Sequence, residues 1–310
     1  MDKIIIIAGP TASGKTAMGI SLAKCYNGEI ISADSMQVYK DMNIGTATPD
    51  EVETEGVKHY LINELEPNDE YNVAVFIIKA RQYIEEIISR DKIPILVGGT
   101  GLYIDALLYG YNLGNKSENV KIKKELQDKL DKFGAEYMHN LLCELDPAEA
   151  EKIHKNNTKR VLRALEIYYS ANEKKSQSVK KSSAVCDAAY IALTYEPRDV
   201  LYERINKRVD IMFDSGLLEE AKEIYDRKYD KSLPSMQAIG YKELFEYFDG
   251  KIDIDKSKEI IKQRTRNYAK RQLTWFKNNA DVKFFTVNSF DTFGKLFAGV
   301  CEYIDERLKI

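Results

Sequence analysis

The chain has 310 residues, 44% of them apolar and 31% charged, with only seven prolines. That balance excludes a disordered or collagen-like chain and leaves room for one large domain or two ordinary ones. The net charge of −3 argues against a nucleic-acid protein as a whole, although the charge is unevenly spread. Residues 256–277 carry eight Lys or Arg against one Glu, and 155–181 carry eight against two. Such segments form a polyanion site where they converge, or simply solvated helix faces. The longest apolar run, Ile4–Gly9, falls far short of the roughly 20 residues of a membrane span. With no membrane segment and no basic-then-apolar leader, a cytoplasmic chain is expected. Cys25, Cys143, Cys186 and Cys301 lie far apart and form no C-x-x-C pair, so reduced thiols are the plain reading.

In chain order, Lys3–Ala8 is a nearly all-apolar, β-branched run suited to a strand buried on both faces. Helical spacing follows over Ala17–Tyr26, then short strands at Glu29–Ser32 and Ile93–Val97 flank a helix over Asn72–Arg90. Alternating strands and helices predict a parallel α/β sheet. Leu102–Tyr109 reads as a short helix. From about Asn112 to Ser183 only helical segments appear: Val120–Phe133, Ala135–Leu145, Pro147–His154 and Thr158–Ala171, then a polar Lys/Ser stretch, Asn172–Ser183. Strand character returns at Ala188–Thr194 and Val282–Val287. Helices are expected at Arg198–Asp214, Leu217–Tyr229, Met236–Tyr247 and Ile254–Asn278. The economical organisation is an α/β core, 1–111 and 184–310, interrupted by a helical insertion, 112–183.

Three strand ends carry chemistry. Gly9-Pro10-Thr11-Ala12-Ser13-Gly14-Lys15-Thr16 fits G-x-x-x-x-G-K-[ST], with a strand before it and a helix after. Backbone N–H groups of such a loop wrap phosphate oxygens, Lys15 neutralises charge, and Thr16 can hold Mg²⁺. The motif leaves open whether the ligand is a nucleotide or another diphosphate. Asp34, in Ser32-Ala33-Asp34-Ser35-Met36-Gln37, lies just past the second strand, where ligands of doubly wound sheets sit. It is either a general base or metal ligand, or a helix cap. Gln37 has the donor–acceptor pair that fits an adenine edge. The third strand ends in Gly98-Gly99-Thr100-Gly101 rather than in the Asp that organises Mg²⁺ and water in phosphate-hydrolysing proteins. Arg204 and Arg208 lie one turn apart and are able to grip a diphosphate, though surface pairing is the commoner fate of such residues. In the last long helix Ile261, Tyr268 and Trp275 recur every seven residues as a core face. Lys262, Arg264, Arg266, Lys270 and Arg271 flank it as phosphate contacts.

Taken together the motifs resemble the tRNA dimethylallyltransferase family, also called tRNA isopentenyltransferase, in its compact bacterial form. The matching segments are Gly9–Thr16, Asp34–Tyr39, Gly45-Thr46-Ala47, Gly98–Tyr103, Arg160–Glu166, Gly240-Tyr241 and Ala269–Phe276. The resemblance implies a P-loop-type parallel core and transfer of a dimethylallyl group from its diphosphate to the exocyclic amine of the adenine 3′-adjacent to the anticodon. It implies Asp34 as base, Lys15 and Arg208 with Mg²⁺ near Thr16 on the departing diphosphate, and Thr100 orienting the reacting groups. It further implies tRNA contacts from Asp34, Ser35, Met36, Gln37 and Thr100, and from Lys159, Arg160, Val161, Leu162 and Arg163. Lys270 and Arg271 add to these. The helical insertion would clamp the anticodon stem-loop, and the chain would act as a monomer without a membrane. Two rivals share the P-loop: a small-molecule kinase using ATP, and a nucleotide-controlled RNA-binding switch without catalysis.

Overall fold

The computed structural model describes residues 2–111, 119–171 and 184–310. The polar stretch Asn172–Ser183 and the expected start of the insertion at Asn112 lie outside those residues. Six strands form one sheet: β1 (Lys3–Ala8), β2 (Gly28–Ser32), β3 (His59–Tyr60), β4 (Ile93–Gly98), β5 (Asp187–Thr194) and β6 (Lys283–Thr286). Their order is β3-β2-β4-β1-β5-β6, and each pairing is parallel. This is the α/β parallel core expected from the sequence.

β1 lies between β4 and β5, with Ile5 opposite Ile95 and Ala189, and Ile7 opposite Val97 and Ile191. Because side chains alternate along a strand, Ile5 and Ile7 share one face. They join Met18 and Leu22 of the Lys15–Cys25 helix and Leu296, Val300, Ile304 and Leu308 of the Phe293–Leu308 helix. Ile5 and Ile7 are wholly buried, and removing such a side chain from water contributes about 1.5–3 kcal/mol each. Ile6 fills the opposite face, which also buries Tyr190 and Phe276. Burial on both faces is why the central strands read as continuous apolar runs.

The contacts divide the chain into two compact units, Met1–Leu108 with Ala184–Ile310, and Tyr109–Ser183. In the first unit the chain's exit and return adjoin, since Val185 N donates to Leu108 O at 2.9 Å. The second unit has its own apolar core, in which Leu126, Met138 and Leu142 pack with Val161 and Leu165. Its Asn119–Leu145 segment breaks at Gly134, where φ is 82°.

Several elements differ from expectation. The Met236–Tyr247 segment is a 3₁₀ turn at Ser235–Gln237 followed by a helix over Tyr241–Phe248. Gly240, at φ 103°, separates them, a backbone conformation that only glycine adopts without strain. The two-residue β3, the short helices Asn43–Thr46 and Glu51–Thr54, and the Phe293–Leu308 helix were not anticipated.

Candidate active site

A cavity of about 350 Å³ opens at the carboxyl ends of β1, β2 and β4, within the first unit. That is where a parallel sheet offers its ligands a crevice. The phosphate loop contributes Thr11, Lys15 and Thr16 to the lining; the segment past β2 contributes Asp34, Ser35, Met36 and Gln37. Arg208 enters from the Arg198–Asp214 helix, and Tyr268, Arg271 and Gln272 from the Ile254–Lys277 helix. An apolar wall completes the cavity, including Ile205, Val209, Met212, Leu217 and Ile261. The lining therefore combines charged and apolar side chains.

Charge is concentrated in three groups. Lys15 Nζ donates to the Pro10 carbonyl at 2.6 Å. Desolvation and the neighbouring Arg208 lower its pKa to about 7, while Asp34 pulls the other way. Asp34 is raised above the usual carboxylate range by desolvation, against the N–H of Met36 and the charge of Lys15. Its Oδ1 accepts from Met36 N at 2.8 Å, so the carboxylate is aimed by its own backbone turn. Burial also lowers Arg208, and Asp34 opposes that shift. A carboxylate whose proton affinity is raised, beside two cations, suits a base working next to an anion.

Thr100 lies just beyond β4. Its N–H donates to Ala33 O at 3.1 Å, one residue before Asp34. Its side chain lies against the Tyr268 hydroxyl, and Ser13 Oγ in the phosphate loop is buried without a hydrogen-bond partner. Orphaned buried hydroxyls are costly, and a bound ligand or water relieves them.

Other candidates fall differently. Gln37 is committed within the fold: Oε1 accepts from Ser32 Oγ at 2.8 Å, and Nε2 donates to Ala47 O at 3.1 Å and Thr46 O at 3.4 Å. These bonds hold its amide in place in the cavity lining. Arg204 stacks over the Tyr195 ring and donates Nε to Ala12 O at 3.0 Å, so it braces the phosphate loop from outside. Among the expected phosphate contacts, Lys262 pairs with Asp210 at 2.9 Å, Arg264 pairs with buried Glu243, and Arg266 donates to Asn206 at 2.6 Å. Arg271 reaches the cavity lining, whereas Lys270 is exposed and outside it. Tyr268 is a cavity wall and Trp275 is 38% exposed, so only Ile261 of the expected seven-residue stripe is fully core. In the second unit Lys159, Arg160 and Arg163 are exposed on the Thr158–Ala171 helix, and Arg163 pairs with Glu166 at 3.1 Å. The Val161 side chain is wholly buried in that unit's core, and Leu162 packs against it.

Two site-forming residues escaped the sequence reading. Gln272 bridges the phosphate loop and the Gly98–Gly101 turn. Glu220, on the Leu217–Asp226 helix, accepts from Ile44 N at 2.8 Å, Gly45 N at 3.0 Å and Tyr241 Oη at 2.5 Å. It thereby pins the Gly45–Ala47 cavity wall whose carbonyls hold Gln37. Gly45 lies so close to the Tyr241 ring that a Cβ there would sit 2.4 Å from it. Glu220→Ala strands three donors and is expected to cost at least ~2 kcal/mol, against ~1 for Tyr241→Phe. Urea unfolding of both variants measures the ordering; equal stabilities contradict the clamp.

The chain is similar to the tRNA dimethylallyltransferase of Acetivibrio thermocellus, 46% identical over 307 residues, 98% of each chain. It is 43% identical to that of Bacillus cereus strain G9842 over 311 residues, covering 100% of this chain and 96% of the relative. Among solved structures it resembles the full-length tRNA isopentenylpyrophosphate transferase of Bacillus halodurans, with a TM-score of 0.75 and 41% identity. That match covers 100% of this chain and 99% of the other. A eukaryotic dimethylallyltransferase acting on tRNA matches with a TM-score of 0.84 at 33% identity, over 99% of this chain and 80% of that one. The match to the IPP transferase family runs over residues 37–279, and the full-length relatives extend it through the phosphate loop. The chain belongs to the IPP transferase family.

Proposed function

We propose that the chain transfers the dimethylallyl group of dimethylallyl diphosphate to the N6 amine of the adenine 3′-adjacent to the anticodon in tRNA, releasing diphosphate. The observation that carries this reading is the cavity's mixed lining. Lys15, Arg208 and Asp34 lie together in one lining with apolar side chains able to cover a five-carbon chain. The diphosphate lies on the Gly9–Thr16 loop and the prenyl tail on Ile205, Val209 and Leu217. The N6 lone pair attacks the prenyl carbon, the carbon–oxygen bond breaks, and its electrons leave with diphosphate. Asp34 receives the N6 proton, which the delocalised exocyclic amine releases only as the new bond forms. Lys15 and Arg208 offset the charge that develops on the departing oxygen. Thr100, in the turn just past β4 and tied through its N–H to Ala33 beside Asp34, orients the reacting groups.

A divalent ion fits this site through its ligand. Among the described residues no cluster of three His, Cys, Asp or Glu side chains is present that could cage a metal. Mg²⁺ characteristically binds through few protein oxygens plus substrate phosphates. The Thr16 hydroxyl would hold Mg²⁺ carried by the diphosphate, and the ion would supply further neutralisation of the leaving group. A target base must leave its stack to reach Asp34, and a single-stranded anticodon loop makes that inexpensive. No helix among the described residues is long and apolar enough to cross a membrane, in keeping with a reaction on tRNA in the cytoplasm.

Labelled dimethylallyl diphosphate, Mg²⁺ and unmodified tRNA, without ATP, test the reading: label is expected on tRNA. ATP turnover without prenyl transfer supports a kinase instead, and tRNA binding without product supports a switch.

Lys159, Arg160 and Arg163 make the helical unit a contact for the anticodon stem-loop. Binding of tRNA is then expected to weaken steeply with salt. Arg160→Ala and Arg163→Ala are each expected to reduce the log–log salt slope by about 1 and to raise the apparent tRNA constant more than the donor constant. Filter binding across salt checks this; wild-type slopes in both variants remove the helical unit from the interface.

A further inference from the structure

We infer that Gln272 is a positioning residue that locks the phosphate loop to the Gly98–Gly101 turn, so that leaving group and acceptor are presented to each other at a fixed distance. The inference rests on the transferase reading above. Gln272 is 5% exposed, on the Ile254–Lys277 helix. Both ends of its amide are used with matched polarity. Oε1 accepts from Thr11 N at 3.0 Å, and Nε2 donates to Gly99 O at 2.9 Å.

These two partners are the backbones of the two halves of the site. Thr11 lies in the loop that ends in Lys15 and Thr16. Gly99 precedes Thr100, whose N–H is tied to Ala33 beside Asp34. One side chain therefore couples the backbone of the phosphate loop to the backbone that leads to Thr100 and, through it, to Asp34. The approach is tight: a Cβ at Gly99 would lie 2.0 Å from Gln272 Nε2. This accounts for glycine at Gly99 on grounds of packing against Gln272.

The helix that carries Gln272 is itself held. Trp275 Nε1 donates to Asp105 at 2.8 Å and Asn279 Nδ2 to the same carboxylate at 2.9 Å. Trp275 also lies against Gly101, where a Cβ would approach its ring to 2.2 Å. Gln272 is thus fixed by an anchor one turn away, as a group that positions others must be. Only an amide serves both partners. A carboxylate could still accept from Thr11 but would face the Gly99 carbonyl, and would add negative charge beside the anion site.

Gln272→Met, close in size and unable to make either bond, is expected to lower the single-turnover transfer rate by about 10–100-fold, since a misplacement near 1 Å costs about that much. Affinity for inorganic diphosphate should change less than 3-fold on the order of one lost neutral contact. Gln272→Glu is expected to be impaired most at high pH. Its rate relative to wild type should rise as pH falls, because the protonated carboxyl regains a donor toward Gly99. A packing role alone would lower thermal stability without that pH-dependent ratio.

Wild type run in parallel separates the claims. Absence of transfer by wild type contradicts the transferase reading, and this inference with it. Transfer by wild type, with folded Gln272→Met within 2-fold of it or a Gln272→Glu ratio flat with pH, overturns the positioning role alone.

Discussion

Asp34→Asn is expected to lower single-turnover transfer by about 10²–10⁴-fold, the usual contribution of a positioned general base. Asparagine keeps the size and can still accept from Met36 N, so the turn that aims residue 34 survives. What it loses is the capacity to take a proton. The raised proton affinity of Asp34, caused by desolvation inside the cavity, strengthens it as a base and makes the loss larger. Binding of donor and tRNA should change little, because the missing interaction belongs to the transition state. If Asp34 served only to shape its turn, asparagine would do equally well. A rate within a few-fold of wild type at saturating substrates removes Asp34 from the mechanism.

Lys15→Met is expected to cost about 10²–10³-fold in transfer, the scale of losing one preorganised charge from a developing anion. It should also change the proton balance of donor binding. Desolvation and Arg208 hold the Lys15 pKa at about 7 in the free protein, so at pH 8 the side chain is largely neutral. Diphosphate favours the ammonium form. Donor binding at pH 8 should therefore take up close to one proton on the order set by linkage, and affinity should fall as pH rises from 7 to 9. Calorimetry in two buffers of different ionisation enthalpy measures the uptake. Equal uptake by wild type and Lys15→Met contradicts the assignment.

What was legible in the sequence was local. The phosphate loop, Asp34 past β2 and the glycine turn past β4 are each a few residues at a strand end, where the chain direction alone places them at one sheet edge. Gln272 was illegible because its partners lie 261 and 173 residues away. It falls inside the Ala269–Phe276 segment that carries the family resemblance, but nothing local tells what its amide bonds to. Three cations of the Ile254–Lys277 helix, Lys262, Arg264 and Arg266, have partners that are likewise remote in sequence. Lys262 and Arg266 find Asp210 and Asn206 on the Arg198–Asp214 helix, while Arg264 finds Glu243, so their charge is spent in joining helices. Gln37 has the donor–acceptor pair that fits adenine and lines the cavity, where Ser32, Thr46 and Ala47 fix its amide through bonds that the sequence does not show. The Phe293–Leu308 helix is a different case. Leu296, Val300, Ile304 and Leu308 recur every four residues behind a Thr292 cap, a helical signal that is local and present in the sequence.

The location of the transferred group on tRNA tests the transferase reading. Wild-type protein, Mg²⁺ and dimethylallyl diphosphate are incubated without ATP with an unmodified tRNA bearing adenine 3′ to its anticodon, and with the same tRNA bearing guanine there. Nuclease digestion and mass spectrometry then read the product. One dimethylallyl group on N6 of that adenine, one diphosphate released per group, and no product on the guanine tRNA are predicted. Transfer to another position, equal modification of both tRNAs, or no transfer unless ATP is supplied contradicts the account.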